Sequence, residues 1–163
     1  MPGVFPFRAL RFGGGRGDVS TLIAPPYDVL DAAGKARLLA KNPDNIVAID
    51  LPHVPAKELG PPAAYEGAAA GLGRLVSSGA MTQSNVPAIF AYRQRFEFRG
   101  KTFDRCGMAC AVETLPFGPR AGGGILPHEQ TFSGPKEDRM ALMKATRAQL
   151  SPIFGLYADG RQT

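Results

Sequence analysis

Glycine and proline interrupt this chain so often that long, continuous helices are excluded along much of its length. The sequence contains 20 glycines and 15 prolines among 163 residues, well above the average usage of either residue. Glycine permits tight turns, whereas proline fixes one backbone angle and interrupts helices. The sequence therefore predicts short secondary-structure elements separated by many turns, and it argues against a helical bundle.

The length and bulk composition indicate a single domain spanning residues 1–163. Hydrophobic residues make up 44% of the chain and charged residues 20%, which is typical of a globular protein. The first dozen residues contain two prolines and two arginines, so they do not resemble the apolar centre of a signal peptide. No later stretch reaches the roughly 18 to 20 apolar residues of a membrane-spanning helix. We therefore expect no membrane association and a cytoplasmic location.

The charge balance favours an anionic partner. The formal net charge is +5 at pH 7 and the sequence pI is about 9.5. The chain lacks the dense tract of lysine and arginine that is typical of an arm dedicated to nucleic-acid binding. A small-molecule phosphate ligand is therefore the favoured partner, nucleic acid is a weaker candidate, and the oligomeric state is left open.

The two cysteines predict neither a disulfide nor a metal site. Cys106 and Cys110 lie four residues apart in a predicted strand, where their Cα atoms would be about 13 Å apart. That separation is too long for a disulfide bond. A zinc site would need two more ligands, and His53 and His128 are far from the cysteines and from each other in sequence. We expect two structural thiols and no metal ligand set.

Three segments have the spacing of helices. Asp31 is a suitable N-cap for a short helix through Ala40. The segment Ala63–Ser78 places its larger apolar residues at helical spacing. A third helix is predicted to be capped by Ser133 or Gly134 and to reach about Gln149.

The remaining elements are predicted strands, rich in aromatic and branched residues. These are Val4–Phe12, Ile46–Leu51, Ala88–Phe98, Lys101–Val112 and Ser151–Tyr157. The third and fourth flank Arg99-Gly100 and predict a β-hairpin. Its charged residues mostly alternate, which predicts one basic face made of Arg93, Arg95, Arg99, Lys101 and Arg105. Together these elements predict an α+β fold with a mixed, largely antiparallel sheet and two or three covering helices.

A cluster of polar residues surrounds the start of the third predicted helix. His128, Glu129 and Thr131 precede it, and Lys136 and Arg139 share one face of its first turns. Positive side chains near a helix N-terminus oppose the helix dipole, so local helix stability does not explain them. An anionic ligand or a partner carboxylate would explain them.

A purely structural interpretation of this cluster is the somewhat stronger alternative on spacing alone. In it, Glu129 pairs with Arg139 or Lys136, His128 is a buried hydrogen-bonded imidazole, and Ser133 only caps the helix. Two interpretations also remain for the rigid segment that carries Tyr27 and Asp28 after two prolines. It suits either a turn or a pre-shaped site.

Several separated segments resemble, in the same order, the family labelled "domain of unknown function 1015". They are Pro6-Phe7-Arg8-Ala9-Leu10-Arg11, Ala24-Pro25-Pro26-Tyr27-Asp28-Val29, Asn42-Pro43 with Asn45-Ile46-Val47, Pro127-His128-Glu129 with Thr131, Pro135-Lys136 with Asp138-Arg139, and Ser151-Pro152-Ile153-Phe154. The resemblance spans nearly the whole chain.

The resemblance implies a place in small-molecule phosphoryl transfer. Fuller members of the family carry a downstream Asp-Gly-His-His-Arg box like that of free-serine kinases related to the chromosome-partitioning nuclease and sulfiredoxin fold. This sequence has no such box and ends shortly after Asp159-Gly160-Arg161. We therefore expect the N-terminal portion of a larger fold, without the element that is implied to be catalytic.

A phosphoryl-transfer site needs cations for the phosphates and a residue that positions the acceptor hydroxyl. On this hypothesis Lys136 and Arg139 contact phosphate, and Glu129 holds Mg²⁺ or orients the acceptor. His128 and Thr131 hydrogen-bond the ligand, while Tyr27 and Asp28 close the pocket. The candidate catalytic residues are thus His128 and Glu129, the candidate ligand-binding residues are Tyr27, Asp28, Thr131, Lys136 and Arg139, and the expected cofactor is Mg²⁺ with ADP or ATP. The alternative is a non-catalytic module that binds a phosphate ligand, or binds RNA through the arginine-rich hairpin, and that is inactive without a C-terminal half.

Overall fold

The computed structural model describes residues 2–13 and 18–157, which form two compact units. The first unit takes residues 2–13 and 79–130, and the second takes residues 18–78 and 131–157. Strands lie in the first unit and α-helices in the second, so the predicted α+β fold is confirmed. That residues 1–163 form a single domain stays a prediction.

The first unit consists of antiparallel strand pairs. They are β1 (Val4–Phe5) with β6 (Ala111–Val112), β2 (Leu10–Phe12) with β3 (Met81–Gln83), and β4 (Phe90–Phe98) with β5 (Lys101–Ala109). The largely antiparallel pairing is therefore as predicted. The predicted strand Val4–Phe12 is present as two short strands, β1 and β2. Between them along the chain, Phe7 forms an isolated antiparallel bridge with Ala88.

The β4–β5 hairpin follows directly from its turn. Arg99 and Gly100 both have positive φ, 50° and 72°, as a two-residue turn matched to the strand twist requires. This turn sets Phe98 opposite Lys101 and continues the pairing to Phe90 opposite Ala109. The hairpin prediction is confirmed.

The prediction of one basic hairpin face is wrong. Residues opposite each other in an antiparallel pair share a face. Because Arg95 lies opposite Asp104, and Arg105 lies opposite Gln94, the even-numbered residues of β4 share a face with the odd-numbered residues of β5. Arg93 and Arg95 consequently lie on one face and Arg105 on the other.

The second unit is built from four α-helices. They are α1 (Ala32–Lys41), α2 (Val47–Asp50), α3 (Pro62–Ser77) and α4 (Ser133–Thr146). Contacts run from α1 to α2, from α2 to α3 and from α3 to α4. The predicted cap of α1 is confirmed, since the Asp31 carboxylate accepts a 2.6 Å hydrogen bond from the Gly34 amide.

The segment Ile46–Leu51 was predicted as a buried strand, and that prediction is wrong. The segment is buried but forms the short helix α2. Its backbone bonds are local: Ile49 N–H donates to Ile46 C=O, and Leu51 N–H donates to Val47 C=O. An apolar run this short does not distinguish a buried strand from a buried helical turn.

Helix α3 packs against both α2 and α4. It buries Tyr65, Ala68, Leu72 and Leu75 along one side, the arrangement expected of an amphipathic helix. The predicted helix Ala63–Ser78 is confirmed to within one residue at each end. Gly79, with φ of 72°, follows it as the predicted left-handed stop.

Helix α4 differs from its prediction at both ends. Phe132 occupies the N-cap position and Ser133 is already helical, so the predicted capping by Ser133 or Gly134 is wrong. The helix ends at Thr146, where Arg147 adopts a left-handed conformation with φ of 53°. It therefore stops before the predicted end at Gln149.

The predicted strand Ser151–Tyr157 is not formed. The segment carries no strand hydrogen-bond ladder, and its side chains Ile153 and Leu156 are 91% and 89% exposed. Within residues 2–13 and 18–157, no helix is both long enough and apolar enough to cross a membrane. Cys106 and Cys110 are both free thiols.

Candidate functional site

A fully buried carboxylate, Asp138, organises the polar part of the second unit. It projects from the early turns of α4 and its side chain is 0% exposed. Its Oδ1 atom lies 2.7 Å from both His53 Nε2 and the Tyr65 hydroxyl. Its Oδ2 atom accepts bonds from Nε and NH2 of Arg139 at 3.0 and 2.7 Å. An ionised carboxylate accepts about four hydrogen bonds, so Asp138 is fully satisfied.

These contacts fix the direction of the hydrogen bonds around His53. An ionised carboxylate only accepts, so His53 Nε2 carries a hydrogen and the Tyr65 hydroxyl donates. That hydroxyl in turn accepts a 2.7 Å bond from the Gly60 amide. A Cβ atom added at Gly60 would overlap the His53 ring. The absence of a side chain at Gly60 therefore lets the backbone close over His53.

Arg139 joins this carboxylate to the end of α2. Its NH1 atom donates to the Asp50 backbone oxygen at 2.7 Å and to Asp50 Oδ1 at 3.1 Å. The centre of the guanidinium lies 3.8 Å from the centre of the Tyr27 ring, which is a close cation–π contact. Because most of its donors are already engaged, Arg139 holds Asp50, Asp138 and Tyr27 in one arrangement.

The same contacts shift the pKa values of the acidic groups in opposite directions. Burial would raise the pKa of Asp138, but hydrogen bonds from Tyr65, His53 and Arg139, together with the Arg139 charge, hold that pKa below its ordinary value. Burial raises the pKa of Asp50 despite the opposing charge of Arg139. Burial and the hydrogen bond to Asp138 raise the pKa of Tyr65. Asp138 is therefore held as a carboxylate, the state that its four contacts require.

These shifts predict opposite pH dependences of stability on the two sides of pH 3.8, the ordinary pKa of both aspartates. The lowered pKa of Asp138 stabilises the fold above pH 3.8, and that contribution is lost as the pH falls through the folded-state value. The raised pKa of Asp50 makes the free energy of unfolding fall as the pH rises just above 3.8. We expect Asp138→Asn to abolish the rise of the free energy of unfolding with pH below pH 3.8, and Asp50→Asn to abolish its fall with pH above pH 3.8. Urea unfolding at each pH measures both slopes. A wild-type slope in the Asp50→Asn variant would contradict the assignment.

A shallow depression of about 460 Å³ lies along the outer side of α4. Leu59, Met140 and Ala141 supply its apolar surface, and Lys136, Glu137 and Lys144 supply its charged groups. Lys136 and Lys144 are eight residues apart on one helix, roughly 12 Å along its axis. The depression therefore presents an apolar strip with one ammonium group at each end.

The structure brings some of the predicted site residues together. Tyr27 and Arg139 are in contact in the second unit, whereas Asp28 and Thr131 are exposed there. His128 and Glu129 belong to the first unit, where the imidazole lies 3.7 Å from the carboxylate. The functional roles assigned to these residues stay predictions.

Two parts of the structural alternative are wrong. The side chain of His128 is 87% exposed, so it is not a buried imidazole. Ser133 does not cap α4, because it lies inside the helix. The carboxylates that pair with Arg139 are those of Asp50 and Asp138.

Most of the buried network was not predicted from residue patterns, namely Asp50, His53, Tyr65 and Asp138. One signal was present: Asp138 and Leu142 are four residues apart and therefore lie on the same face of α4. A carboxylate on the buried face of a helix calls for partners, because an unpaired buried charge is strongly unfavourable. The identity of the distant partners, His53 between α2 and α3 and Tyr65 in α3, depends on tertiary packing.

A family described as "Protein of unknown function (DUF1015)" matches residues 4–163. No curated protein and no solved structure matches the chain. The match covers nearly the whole sequence and confirms the resemblance drawn from the separated motifs.

Proposed function

This chain belongs to the DUF1015 family, and we propose that it binds a nucleotide or another phosphorylated small molecule through Lys136. The proposal is supported chiefly by the position of Lys136, a cation at the start of α4 beside the apolar depression. We further propose that this binding serves kinase-like phosphoryl transfer in the cytoplasm.

The surroundings of Lys136 favour an anion. The N-cap residue Phe132 supplies no side-chain hydrogen bond to the first turn of α4, and exposed amides at a helix start attract negative charge. Among the residues that the structure describes, no carboxylate lies within 4.0 Å of the Lys136 ammonium. A positive charge at this end opposes the helix dipole. A bound phosphate would offset that opposition.

Lys144 and the apolar strip suit the rest of such a ligand. The strip formed by Leu59, Met140 and Ala141 offers a surface for a base or another ring, and Lys144 offers a second cation. Arg139 has its donors engaged by Asp50 and Asp138. We therefore assign phosphate contact to Lys136 and Lys144, and a positioning role to Arg139.

We propose that Mg²⁺ arrives with the nucleotide and is not held by the protein alone. The described part of the chain contains no group of three or more His, Cys, Asp or Glu side chains that could hold a metal ion. Glu129, the predicted ligand, is 65% exposed and contacts His128. No step is assigned to a bound metal, and Mg²⁺ enters only as the counter-ion of a nucleotide.

A thermal-shift titration with ADP and ATP, with and without Mg²⁺, tests the proposal. We expect the melting temperature to rise with millimolar nucleotide. We expect Lys136→Gln to weaken the apparent affinity about tenfold or more, as loss of a charge-assisted contact should. Isothermal titration calorimetry on the same variants checks the change in affinity directly.

The matched control is Lys41→Gln, which removes the same charge from an exposed position on α1. It should leave the titration unchanged. If the two variants lost nucleotide affinity equally, the loss would be explained by net charge alone, and a site at Lys136 would be contradicted. No shift with any nucleotide at millimolar concentration would also contradict the proposal.

A further inference from the structure

The β4–β5 hairpin leaves the outer edge of β4 without a partner strand. From Phe90 to Phe98 the strand pairs with β5 alone, and no other backbone hydrogen bond within residues 2–13 and 18–157 reaches it. Most residues of β4 are exposed. An unpaired strand edge is a template for pairing with another strand, and this edge is nine residues long.

The turn of the hairpin determines which backbone groups of β4 face this edge. When a two-residue turn closes a hairpin, the pair that flanks the turn shares the ladder hydrogen bonds, and here that pair is Phe98 and Lys101. Hydrogen-bonded and non-hydrogen-bonded pairs then alternate along the two strands. The N–H and C=O groups of Arg93, Arg95 and Glu97 therefore point away from β5, toward the free edge.

Two of these residues carry opposite charges that the rest of the described chain does not pair. Arg95 and Glu97 are exposed and lie on the same face of the hairpin. Neither forms an ion pair with any other residue that the structure describes, whereas Arg93 is paired with Asp104 at 3.0 Å. A second copy of β4 running in the opposite direction presents these two charges in the reverse order, so the edge is complementary to itself.

From this pattern we propose that the chain forms a symmetric dimer in which β4 pairs antiparallel with β4 of a second copy. A two-fold axis perpendicular to the sheet keeps corresponding residues on the same face, so it passes beside one residue of the strand. Pairing about Gln94 sets Arg93 opposite the partner's Arg95, and pairing about Arg95 sets two arginines opposite each other. Like charges directly opposite are destabilising.

Pairing about Phe96 avoids both conflicts. It sets Arg95 opposite the partner's Glu97 at two symmetric positions, and it sets the two Phe96 rings opposite each other. Oppositely charged pairs and aromatic pairs both stabilise an antiparallel strand pair. The outward backbone groups of Arg95 and Glu97 gain partners in the same register. Because this paired region is short, we expect a dimer that dissociates on dilution.

Sedimentation velocity over a concentration series tests the proposal on the full chain. We expect the wild type to shift with rising concentration toward twice the 17.3 kDa mass of the chain. Arg95→Glu sets two carboxylates opposite each other at both symmetric positions, and Glu97→Arg sets two arginines there. Each substitution should weaken the dimer about tenfold or more. A wild-type mass that does not rise with concentration would overturn the proposal.

A mixture of these two variants tests the register. The carboxylates at positions 95 and 97 of one chain then face the arginines at those positions of the other, so every charged pair is complementary again. We expect the mixture to dimerise as well as the wild type, although each variant alone is weakened. A dimer that tolerates Arg95→Glu, or a mixture that dimerises no better than the separate variants, would overturn the pairing about Phe96.

Lys101→Glu is the matched control, because it makes the same change of charge on β5 of the same hairpin. It should leave dimerisation unchanged. Equal weakening by Arg95→Glu and Lys101→Glu would assign the effect to net charge and overturn the proposal. Circular dichroism establishes that each variant is folded before masses are compared. Lys136→Gln is expected to leave the dimer unchanged, which separates this proposal from that of nucleotide binding.

Discussion

Replacing Asp138 with alanine should lower the free energy of unfolding by about 3–5 kcal/mol, the usual effect of removing one partner from a buried ion pair. The carboxylate is fully buried and receives hydrogen bonds from His53, Tyr65 and Arg139. Its removal leaves these donors inside the second unit without an acceptor, and leaves the Arg139 charge with Asp50 alone. Urea unfolding followed by circular dichroism measures the loss.

Two further variants separate charge from shape at this position. Asp138→Asn keeps the volume but removes the negative charge, so it should lose the ion pair with Arg139 and retain part of the hydrogen bonding. We expect its stability to lie between those of the wild type and Asp138→Ala. Glu137→Gln changes the neighbouring carboxylate, which is exposed on the same helix, and should alter the free energy of unfolding by less than about 0.5 kcal/mol.

The result would contradict the described network if Asp138→Ala and Glu137→Gln destabilised the protein equally. A stable Asp138→Ala variant would show that His53 and Tyr65 find other partners or water. Paired substitution of Asp138 and Tyr65 then tests their coupling. In a shared network the two losses should not add.

Local sequence signals predicted those elements whose hydrogen bonds are themselves local. The cap of Asp31, the stop at Gly79 and the turn at Arg99-Gly100 depend on neighbouring residues, and each element was predicted close to its observed position. The strand prediction for the short run Ile46–Leu51 was wrong because its apolar pattern suits a buried strand and a buried helical turn equally. Ser151–Tyr157 failed for a different reason: a strand needs a partner, and the strand propensity of a segment does not supply one.

The candidate site was less predictable because its groups are separated along the chain. His53 and Tyr65 meet Asp138 across 85 and 73 residues, and no local spacing predicts such contacts. Tyr27 and Arg139 were both candidate ligand-binding residues, but the contact that the structure places between them was not predicted. Because Lys136 and Arg139 oppose the helix dipole, each was expected to have a compensating negative charge. For Arg139 the compensating charges are now visible in Asp50 and Asp138, and for Lys136 the proposed compensation is a phosphate.

Substitutions in the buried network and in the depression are therefore expected to change different properties of the protein. Substitutions around Asp138 act on the stability of the second unit, since its partners come from α3, from α4 and from the segment between α2 and α3. A substitution at Lys136 acts on an exposed side chain and should change ligand binding with little change in stability. Measuring ligand affinity and the free energy of unfolding on a variant of Arg139 distinguishes a positioning role from direct contact with a ligand. Direct contact predicts that the loss of binding free energy exceeds the loss of folding free energy.

Asn45→Ala is the other substitution for which we expect a large effect, a loss of about 2–4 kcal/mol in the free energy of unfolding. Asn45 is 1% exposed. Its amide nitrogen donates 2.8 Å bonds to the backbone oxygens of Thr21 and Ile23, and its side-chain oxygen accepts a 2.9 Å bond from the Val47 amide. One side chain thus joins the segment before α1 to the start of α2, and alanine leaves three backbone groups without that partner, of which the Val47 amide is buried.

Asn42→Ala provides a control of the same residue type in the adjoining turn. Asn42 is half-buried and its side chain bonds the Thr21 hydroxyl and the Asp44 amide, so its loss should have less than half the effect. Hydrogen exchange offers an independent measurement, because the Val47 amide should exchange faster in Asn45→Ala and not in Asn42→Ala. Unchanged protection of Val47 would show that α2 does not depend on Asn45, and the local explanation for a helix at Ile46–Leu51 would then have to be given up.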